Sequence, residues 1–167
     1  MVIIITGTTH TGKTKLAQQA LEKYKYPYLS IDHLKMGLIR SNNTSLTVND
    51  DEKLTSYLWP IVKEIIKTAI ETNQNLIVEG CYVPFNYKDD FSNEYLTHIE
   101  YYCLIMSEQY INNNFNEIKN HANDIEQRID DFLDKNELIK ENNFNLNMCK
   151  KYNNKYIFID SDYNLSI

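Results

Sequence analysis

The amino-acid sequence predicts an α/β fold in which helices cover both faces of a parallel sheet. Two observations support this: five short apolar segments alternate with longer segments of helical spacing, and the first segment, residues 2–6, is apolar on both faces like a central parallel strand. A chain of 167 residues is long enough for one such domain and short for two. No repeat or linker divides it, so we expect a single domain over residues 1–167.

The periodicity of apolar residues places the individual elements. The predicted strands are residues 2–6, 28–31, 75–79, 98–106 and 156–160. The predicted helices are residues 13–25, 32–41, 54–70, 125–133 and 136–152, with a further helical region from Ser107. The apolar spacing of residues 54–70 continues through Pro60, which predicts one kinked helix. Dense asparagines at residues 110–123 predict weak helix and mobility, within a lid over residues 107–134.

Composition excludes several classes of protein. A net charge of −6 argues against a nucleic-acid-binding surface, which needs clustered lysine and arginine. No apolar run reaches the ~20 residues of a membrane span, and the short first strand does not resemble an export signal. The three cysteines, widely spaced and odd in number, are typical of reduced thiols. We therefore expect a cytoplasmic protein with no nucleic-acid or membrane partner.

One motif follows the first predicted strand directly. Residues 7–14 match the pattern G-x-x-x-x-G-K-[ST] at every fixed position, and a helical segment follows them. By chance the pattern would occur in a chain of this length with odds of about one in a hundred or less. The alternative interpretation is an ordinary turn between a strand and a helix. We predict a nucleoside triphosphate site formed by Gly7, Thr8, Thr9, His10, Thr11, Gly12, Lys13 and Thr14.

Each part of this motif has a physical role in binding phosphate. Glycines allow a tight turn in which successive N–H groups converge on the phosphate oxygens, and the following helix adds a partial positive charge. Lys13 is expected to neutralise the β- and γ-phosphates, and Thr14 to hold Mg²⁺. His10 occupies a variable position, where a packing role is favoured over proton transfer.

Asp32 follows the second predicted strand, where a substrate beside the γ-phosphate would lie. Its carboxylate could accept a proton from an attacking hydroxyl, or position Mg²⁺ through water. It could also serve as the N-cap of the next helix. We predict that Asp32 is catalytic and contacts the substrate.

The third predicted strand ends in Glu79 and Gly80. Glu79 follows three apolar residues, as an acidic residue does in magnesium-dependent NTPases, and is predicted to lie near the metal or substrate. The alternative is an acidic residue in solvent. Gly80 would allow the backbone to approach a substrate closely, and Cys81 is expected to be a small buried residue.

The chain has only two arginines, Arg40 and Arg128, and both are site candidates because arginine binds phosphate well. Arg128 could close from a lid on the phosphoryl group being transferred, or it could belong to a solvated helix face. Arg40 could bind an anionic group of the substrate.

Taken together, these motifs resemble the P-loop small-molecule kinases related to adenylate, shikimate and gluconate kinases, zeta toxins and chloramphenicol phosphotransferase. The matching features are residues 7–14, Tyr28-Leu29-Ser30-Ile31-Asp32, Leu76-Ile77-Val78-Glu79-Gly80, and Arg128. The resemblance implies a three-layer P-loop NTPase fold with strand order 2-3-1-4-5, ATP as donor and Mg²⁺ as cofactor. The stretch Ile31-Asp32-His33-Leu34 is more similar to the branch that phosphorylates a hydroxyl of a non-nucleotide substrate.

We therefore expect a kinase that moves the γ-phosphoryl group of ATP to a hydroxyl or phosphate of a small molecule. The alternative is a nucleotide-binding switch with little catalysis, in which bound nucleotide orders residues 110–123 for a protein partner. A GTPase is disfavoured because the sequence lacks an N-K-x-D motif.

Overall fold

A computed structural model describes residues 1–121, 133–163 and 165–167. The described strands are β1 (Val2–Gly7), β2 (Tyr28–Ser30), β3 (Leu76–Glu79), β4 (Ile99–Met106) and β5 (Tyr156–Ile159). The described helices are α1 (Lys13–Tyr24), α2 (Ile31–Arg40), α3 (Asp51–Glu71), α4 (Asn93–Leu96), α5 (Glu108–Asn120) and α6 (Lys135–Lys151), with a 3-10 turn at Tyr87–Asp90.

The five strands form one parallel sheet in the order β2-β3-β1-β4-β5. With helices on both faces, this is the three-layer arrangement of a P-loop NTPase-like fold, and the predicted fold class is confirmed. β1 is central and pairs with β3 from Val2↔Leu76 to Ile5↔Glu79, and with β4 from Val2↔Ile99 to Gly7↔Leu104. This position explains why β1 is buried along its whole length.

Side chains that alternate along β1 separate the core into two layers. Ile4 packs in a cluster with α3 residues such as Leu58 and Val62, whereas Ile3 and Ile5 pack in a cluster with Leu16 and Ala17 of α1, among others. Period-two alternation in an apolar strand sends neighbouring side chains to opposite faces of the sheet. The apolar character of β1 on both faces therefore reflects one helical layer on each side.

Two helices test the expectations about weak or interrupted segments. α3 is one helix that contains Pro60, as the unbroken apolar spacing predicts. α5 covers most of the asparagine-rich segment and buries Tyr110, Ile111 and Ile118, with Asn114 alone outside helical dihedral angles. Of the predicted helix 125–133, only residue 133 is among the described residues, so the lid stays a prediction. Among the described helices, none combines the length and apolar character that a membrane crossing requires.

The fold brings the phosphate-binding motif, Asp32 and Glu79 to one edge of the sheet. Parallel strands all end on the same side, and ligands of such sheets bind beyond the carboxyl ends. β1 ends at Gly7, β2 at Ser30 and β3 at Glu79, in neighbouring positions of the sheet. The phosphate-binding motif, Asp32 and Glu79 therefore lie next to one another.

Candidate active site

The segment from Gly7 to Gly12 forms a compact loop between β1 and α1. Its turn depends on left-handed or otherwise positive φ values at Gly7 (136°), His10 (62°) and Gly12 (87°). Such a loop directs successive backbone N–H groups inward at the N-terminus of the next helix, which creates an anion-binding concavity. The first turn of α1, which begins at Lys13, therefore faces a site suited to phosphate.

Hydrogen bonds to Thr8 hold the loop in this shape. The Thr11 hydroxyl donates to the Thr8 carbonyl at 2.7 Å, and Lys13 Nζ donates to the same carbonyl at 2.9 Å. From α6, Asn145 Nδ2 donates to Thr8 Oγ1 at 2.8 Å. The α6 contact was not anticipated from the sequence, because Asn145 lies 137 residues from Thr8.

Lys13 is a buried cation whose charge is balanced by neighbouring acids. Burial acts to lower the pKa of Lys13, but interactions with Cys81, Glu79 and Asp32 outweigh it and raise that pKa above its usual value. Although Cys81 reaches the surface, the protein atoms packed around its sulfur raise the pKa of the thiol, which is therefore uncharged near neutral pH. The two carboxylates therefore supply the compensating charge.

Tyr163, which follows β5, packs directly on the phosphate loop. A Cβ atom at Gly12 would lie 1.6 Å from the Tyr163 hydroxyl oxygen, so only glycine fits beneath this ring. The same hydroxyl donates to the Thr11 carbonyl at 3.3 Å. Sequence reasoning missed Tyr163, since nothing in the local pattern near the end of the chain points to the loop.

Glu79 is buried between the ends of β2 and β1. Its side chain is 3% exposed, and its carboxylate accepts a hydrogen bond from the Tyr28 hydroxyl at 2.9 Å. The alternative interpretation of Glu79 as an acidic residue in solvent is therefore wrong. In the strand register Glu79 pairs with Ile5 of β1 and Ser30 of β2, which places it beside both the phosphate loop and the start of α2.

Asp32 lies in the first turn of α2 but does not cap the helix. The N-cap is Ser30, whose hydroxyl oxygen accepts a hydrogen bond from the His33 N–H at 3.3 Å. The capping interpretation of Asp32 is wrong because the helix begins one residue earlier than predicted. The Asp32 carboxylate pairs instead with Lys35 Nζ at 2.6 Å, and its side chain remains 44% exposed.

Three residues beside Asp32 carry polar contacts that sequence reasoning did not assign to the site. Lys35 also donates to the Tyr82 hydroxyl at 3.0 Å, and that hydroxyl donates to the Asp51 carboxylate at 2.8 Å. Asp51 is the first residue of α3, and the preceding N-cap, Asp50, makes no side-chain capping bond. One local signal points to this region: Tyr82, Phe85 and Tyr87 form a cluster of aromatic residues just after the third strand.

Gly80 and Cys81 lie just beyond β3. A Cβ atom at Gly80 would lie 2.7 Å from Ile31 Cβ, so the glycine allows close packing of β3 against the start of α2. The expectation that Cys81 is a buried filler is wrong, because its side chain is exposed. The strand ends at Glu79 and the chain turns at Gly80, so Cys81 leaves the core and lies beside Lys13.

A further carboxylate, Glu141 of α6, adds negative charge to this region. Burial raises its pKa, repulsion from Glu137 and Asp51 adds to this effect, and Lys13 opposes it. Glu141 therefore senses both the phosphate-loop lysine and the start of α3. No motif in the sequence includes Glu141.

Of the two arginines proposed for the site, only Arg40 is among the described residues. Arg40 is the last residue of α2 and is exposed, eight residues and therefore about 12 Å along the helix from Asp32. Arg128 lies outside the described residues, so its predicted role stays a prediction.

The oxygen donors at the site fit magnesium. Within residues 1–121, 133–163 and 165–167, no three His, Cys, Asp or Glu side chains group as metal ligands. Mg²⁺ is usually held by one or two protein oxygens together with substrate phosphates and water. The Thr14 hydroxyl at the start of α1 and the Glu79 carboxylate at the end of β3 are hard oxygen donors of this kind.

Comparison with known proteins defines the class of fold. No protein-family model matches the sequence, and no curated protein sequence matches it significantly. Solved structures do match over almost the whole chain, which supports a fold shared with P-loop small-molecule kinases.

Three of these structures illustrate the likeness. A gluconokinase from Sinorhizobium meliloti 1021 is 14% identical, with a TM-score of 0.52 over 98% of this chain and 83% of that chain. A shikimate kinase from Bacteroides thetaiotaomicron is 17% identical, with a TM-score of 0.51 over 95% and 86%. A chain of the Pnkp1/Rnl/Hen1 RNA repair complex is 13% identical, with a TM-score of 0.54 over 90% of this chain and 45% of that chain.

Proposed function

We propose that this protein is an ATP-dependent phosphotransferase that transfers the γ-phosphoryl group to a hydroxyl of a small molecule. The observation that carries the proposal is that the phosphate loop after β1 and the half-exposed Asp32 carboxylate after β2 lie at the same edge of the sheet, where Asp32 helps to raise the pKa of Lys13. A phosphate-binding cation and a candidate proton acceptor at one sheet edge are the two groups that such a transfer needs. The solved structures of similar fold that are kinases support the same class of reaction.

The donor half of the site consists of the phosphate loop, residues 7–14. Its backbone N–H groups would bind the phosphates of ATP, and Lys13 would exchange its bond to the Thr8 carbonyl for bonds to the β- and γ-phosphates. Magnesium, held by Thr14 and Glu79, would neutralise charge on the phosphate oxygens. The proposed lid arginine, Arg128, would add positive charge during transfer.

The acceptor half consists of Asp32, Lys35, Asp51 and Tyr82. Asp32 would accept the proton of the attacking hydroxyl, because its side chain is 44% exposed and its carboxylate acts electrostatically on Lys13 of the phosphate loop. Gly80, packed against Ile31, lets the end of β3 approach the start of α2, so that Asp32 and Lys13 share one site.

Charge in the acceptor half favours a hydroxyl over a phosphate as the group that is phosphorylated. Asp51 and Glu141 repel one another across this region. The nearby cation Lys35 is already paired with Asp32. A phosphorylated acceptor would bring further negative charge beside the triphosphate, at a cost that a neutral or amine-bearing compound avoids. Arg40 remains the candidate for an anionic group, at the far end of α2.

A screen for ADP release tests this function. Purified protein is mixed with ATP and Mg²⁺ and with glycerol, glucosamine, adenosine, kanamycin or 3-phosphoglycerate, and new phosphate esters are sought by phosphorus NMR. We expect a phosphomonoester from a neutral or amine-bearing compound and none from 3-phosphoglycerate. ATP binding without ester formation from any hydroxyl compound, over a broad set of compounds, would contradict the proposal.

No observation favours the alternative of a nucleotide-binding switch. That hypothesis requires nucleotide to order residues 110–123, yet α5 is helical as far as Asn120 and already packs Ile111 and Ile118 into the core. An RNA acceptor is the other possibility raised by a solved structure of similar fold. The net charge of −6 opposes a polynucleotide, so an RNA oligonucleotide with a 5′-hydroxyl serves as an expected negative in the screen.

A further inference from the structure

Three hydrogen bonds connect the start of α3 to the proposed proton acceptor. Lys35 Nζ donates to Asp32 Oδ1 at 2.6 Å and to the Tyr82 hydroxyl at 3.0 Å, and Tyr82 donates to Asp51 Oδ1 at 2.8 Å. The four residues come from α2, α3 and the segment after β3. The contacts therefore tie together three elements that meet around the acceptor half.

The direction of each bond in this chain is fixed by chemistry. A lysine ammonium group can only donate, so the Tyr82 hydroxyl must accept from Lys35. The single phenolic proton is then directed to the Asp51 carboxylate. Burial raises the pKa of Tyr82, and the bond to Asp51 adds to this effect, so the proton is retained at neutral pH. The arrangement has one consistent set of donors and acceptors.

Burial distinguishes Lys35 and Tyr82 from the Asp32 carboxylate that Lys35 holds. The Lys35 side chain is 13% exposed and Tyr82 is 6% exposed, whereas the Asp32 side chain is 44% exposed. The Lys35 ammonium lies 4.9 Å from the centre of the Tyr82 ring, at the hydroxyl edge of that ring. Lys35 is thus fixed by several contacts, and it fixes the freer carboxylate of Asp32.

We propose that Lys35 is a positioning residue that holds Asp32 Oδ1, so that Oδ2 is presented to the hydroxyl of the acceptor. This inference rests on the proposed function, since it assigns Asp32 the role of proton acceptor. In the reaction the acceptor oxygen forms a bond to the γ-phosphorus, the bond to the β-γ bridging oxygen breaks with ADP leaving, and the hydroxyl proton passes to Asp32. Lys35 does not touch the reacting atoms and acts through Asp32.

The simpler interpretation is a helix-surface ion pair with no role in function. Pairs three residues apart on a helix are common and contribute little to stability. The chain contains such a pair in Lys67 and Glu64 of α3, which are 2.9 Å apart, with Lys67 also 5.9 Å from the centre of the Phe91 ring. That pair matches Lys35 and Asp32 in spacing and ring contact, but Phe91 has no hydroxyl to extend the chain of bonds.

The test compares Lys35→Met, Lys35→Arg, Tyr82→Phe and the matched control Lys67→Met. Each variant is assayed for ATP hydrolysis with water as the acceptor, and its ATP affinity is measured by calorimetry. Because an error of about 1 Å in a reacting group costs about a hundredfold in rate, we expect Lys35→Met to lower kcat by about ten- to a hundredfold. We expect its affinity for ATP to be unchanged, Lys35→Arg to recover part of the loss, and Tyr82→Phe to show a smaller loss.

The outcomes of this test distinguish a failure of the positioning role of Lys35 from a failure of the proposed function. Lys67→Met should leave kcat within about twofold of the wild type, since an exposed pair contributes little. A kcat for Lys35→Met that matches this control would overturn the inference. If the wild type turns over no ATP with water or with any compound of the screen, the proposed function fails. Crystal structures of the wild type and of Lys35→Met then test the positioning of Asp32 by itself. We expect one orientation of the Asp32 carboxylate in the wild type and several in Lys35→Met, and one unchanged orientation in both would refute the role of Lys35.

Discussion

The donor half and the acceptor half of the candidate site are built from the chain in different ways. The donor half is a run of eight consecutive residues between one strand and one helix, and its internal bonds, such as that from Lys13 to the Thr8 carbonyl, span at most five residues. In the acceptor half, the bonds to Tyr82 cross 47 residues from Lys35 and 31 from Asp51. A local motif can be recognised in a sequence, whereas a set of distant residues exists only after the helices have packed.

The largest effect is expected where the donor half supplies its cation. Lys13→Ala should lower phosphoryl transfer by about a hundredfold or more, because it removes the charge that stabilises the transferring group. Initial rates of ADP release measure the loss, and circular dichroism checks the fold. Lys23→Ala, in the last turn of the same helix, is the control and should retain full activity. Equal activity of the two variants would remove Lys13 from the site.

The acceptor half should lose turnover without losing affinity for ATP. Asp32→Asn keeps the size of the side chain but removes its ability to accept a proton, so kcat should fall by about a hundredfold. ATP affinity, measured by calorimetry, should stay within about threefold of the wild type. Glu64→Gln removes a carboxylate from the matched ion pair on α3 and serves as control. Unchanged turnover of Asp32→Asn would assign proton acceptance to another group.

Stability should distinguish two glycines that flank the acceptor half. Gly80→Ala forces a Cβ atom to 2.7 Å from Ile31 Cβ, and should reduce the free energy of unfolding by about 1–3 kcal/mol. Gly37 lies in the interior of α2, where an added Cβ meets no atom within 4 Å. Gly37→Ala should therefore increase the free energy of unfolding by about 0.5–1 kcal/mol. Urea denaturation measures both changes, and a neutral Gly80→Ala would show that β3 and α2 can separate at little cost.

The smallest effect is expected from the hydrogen bond between Asn145 of α6 and Thr8 of the donor half. Asn145→Ala removes the hydrogen bond to Thr8 Oγ1, which is worth about 1 kcal/mol, so KM for ATP should rise about fivefold with kcat nearly unchanged. Asn147→Ala, at an exposed position of the same helix, is the matched control. If both variants behave like the wild type, the loop keeps its shape without help from α6.

Two errors of sequence-based prediction lie just beyond the ends of β2 and β3 and have physical causes. Asp32 was interpreted as a possible cap, but the Ser30 hydroxyl takes that position because α2 begins at Ile31. Cys81 was expected in the core, but the chain leaves the sheet at Gly80 and the cysteine is exposed beside Lys13. Both errors concern a shift of a single residue at the end of a strand, where tertiary packing outweighs local preference.

The succession of strands and helices along the chain and the phosphate loop can be predicted from the sequence, because periodic burial and glycine-dependent turns are local properties of the chain. The position of Asp32 and Glu79 at the edge where the strands end can also be predicted, since parallel strands share that edge. The contacts of Asn145 and Tyr163 with the loop, and the hydrogen bonds that link Asp32 through Lys35 and Tyr82 to Asp51, become visible only in the folded protein. Those contacts join residues far apart in the chain, and their formation depends on how α2, α3 and α6 pack on the sheet rather than on any pattern within one segment.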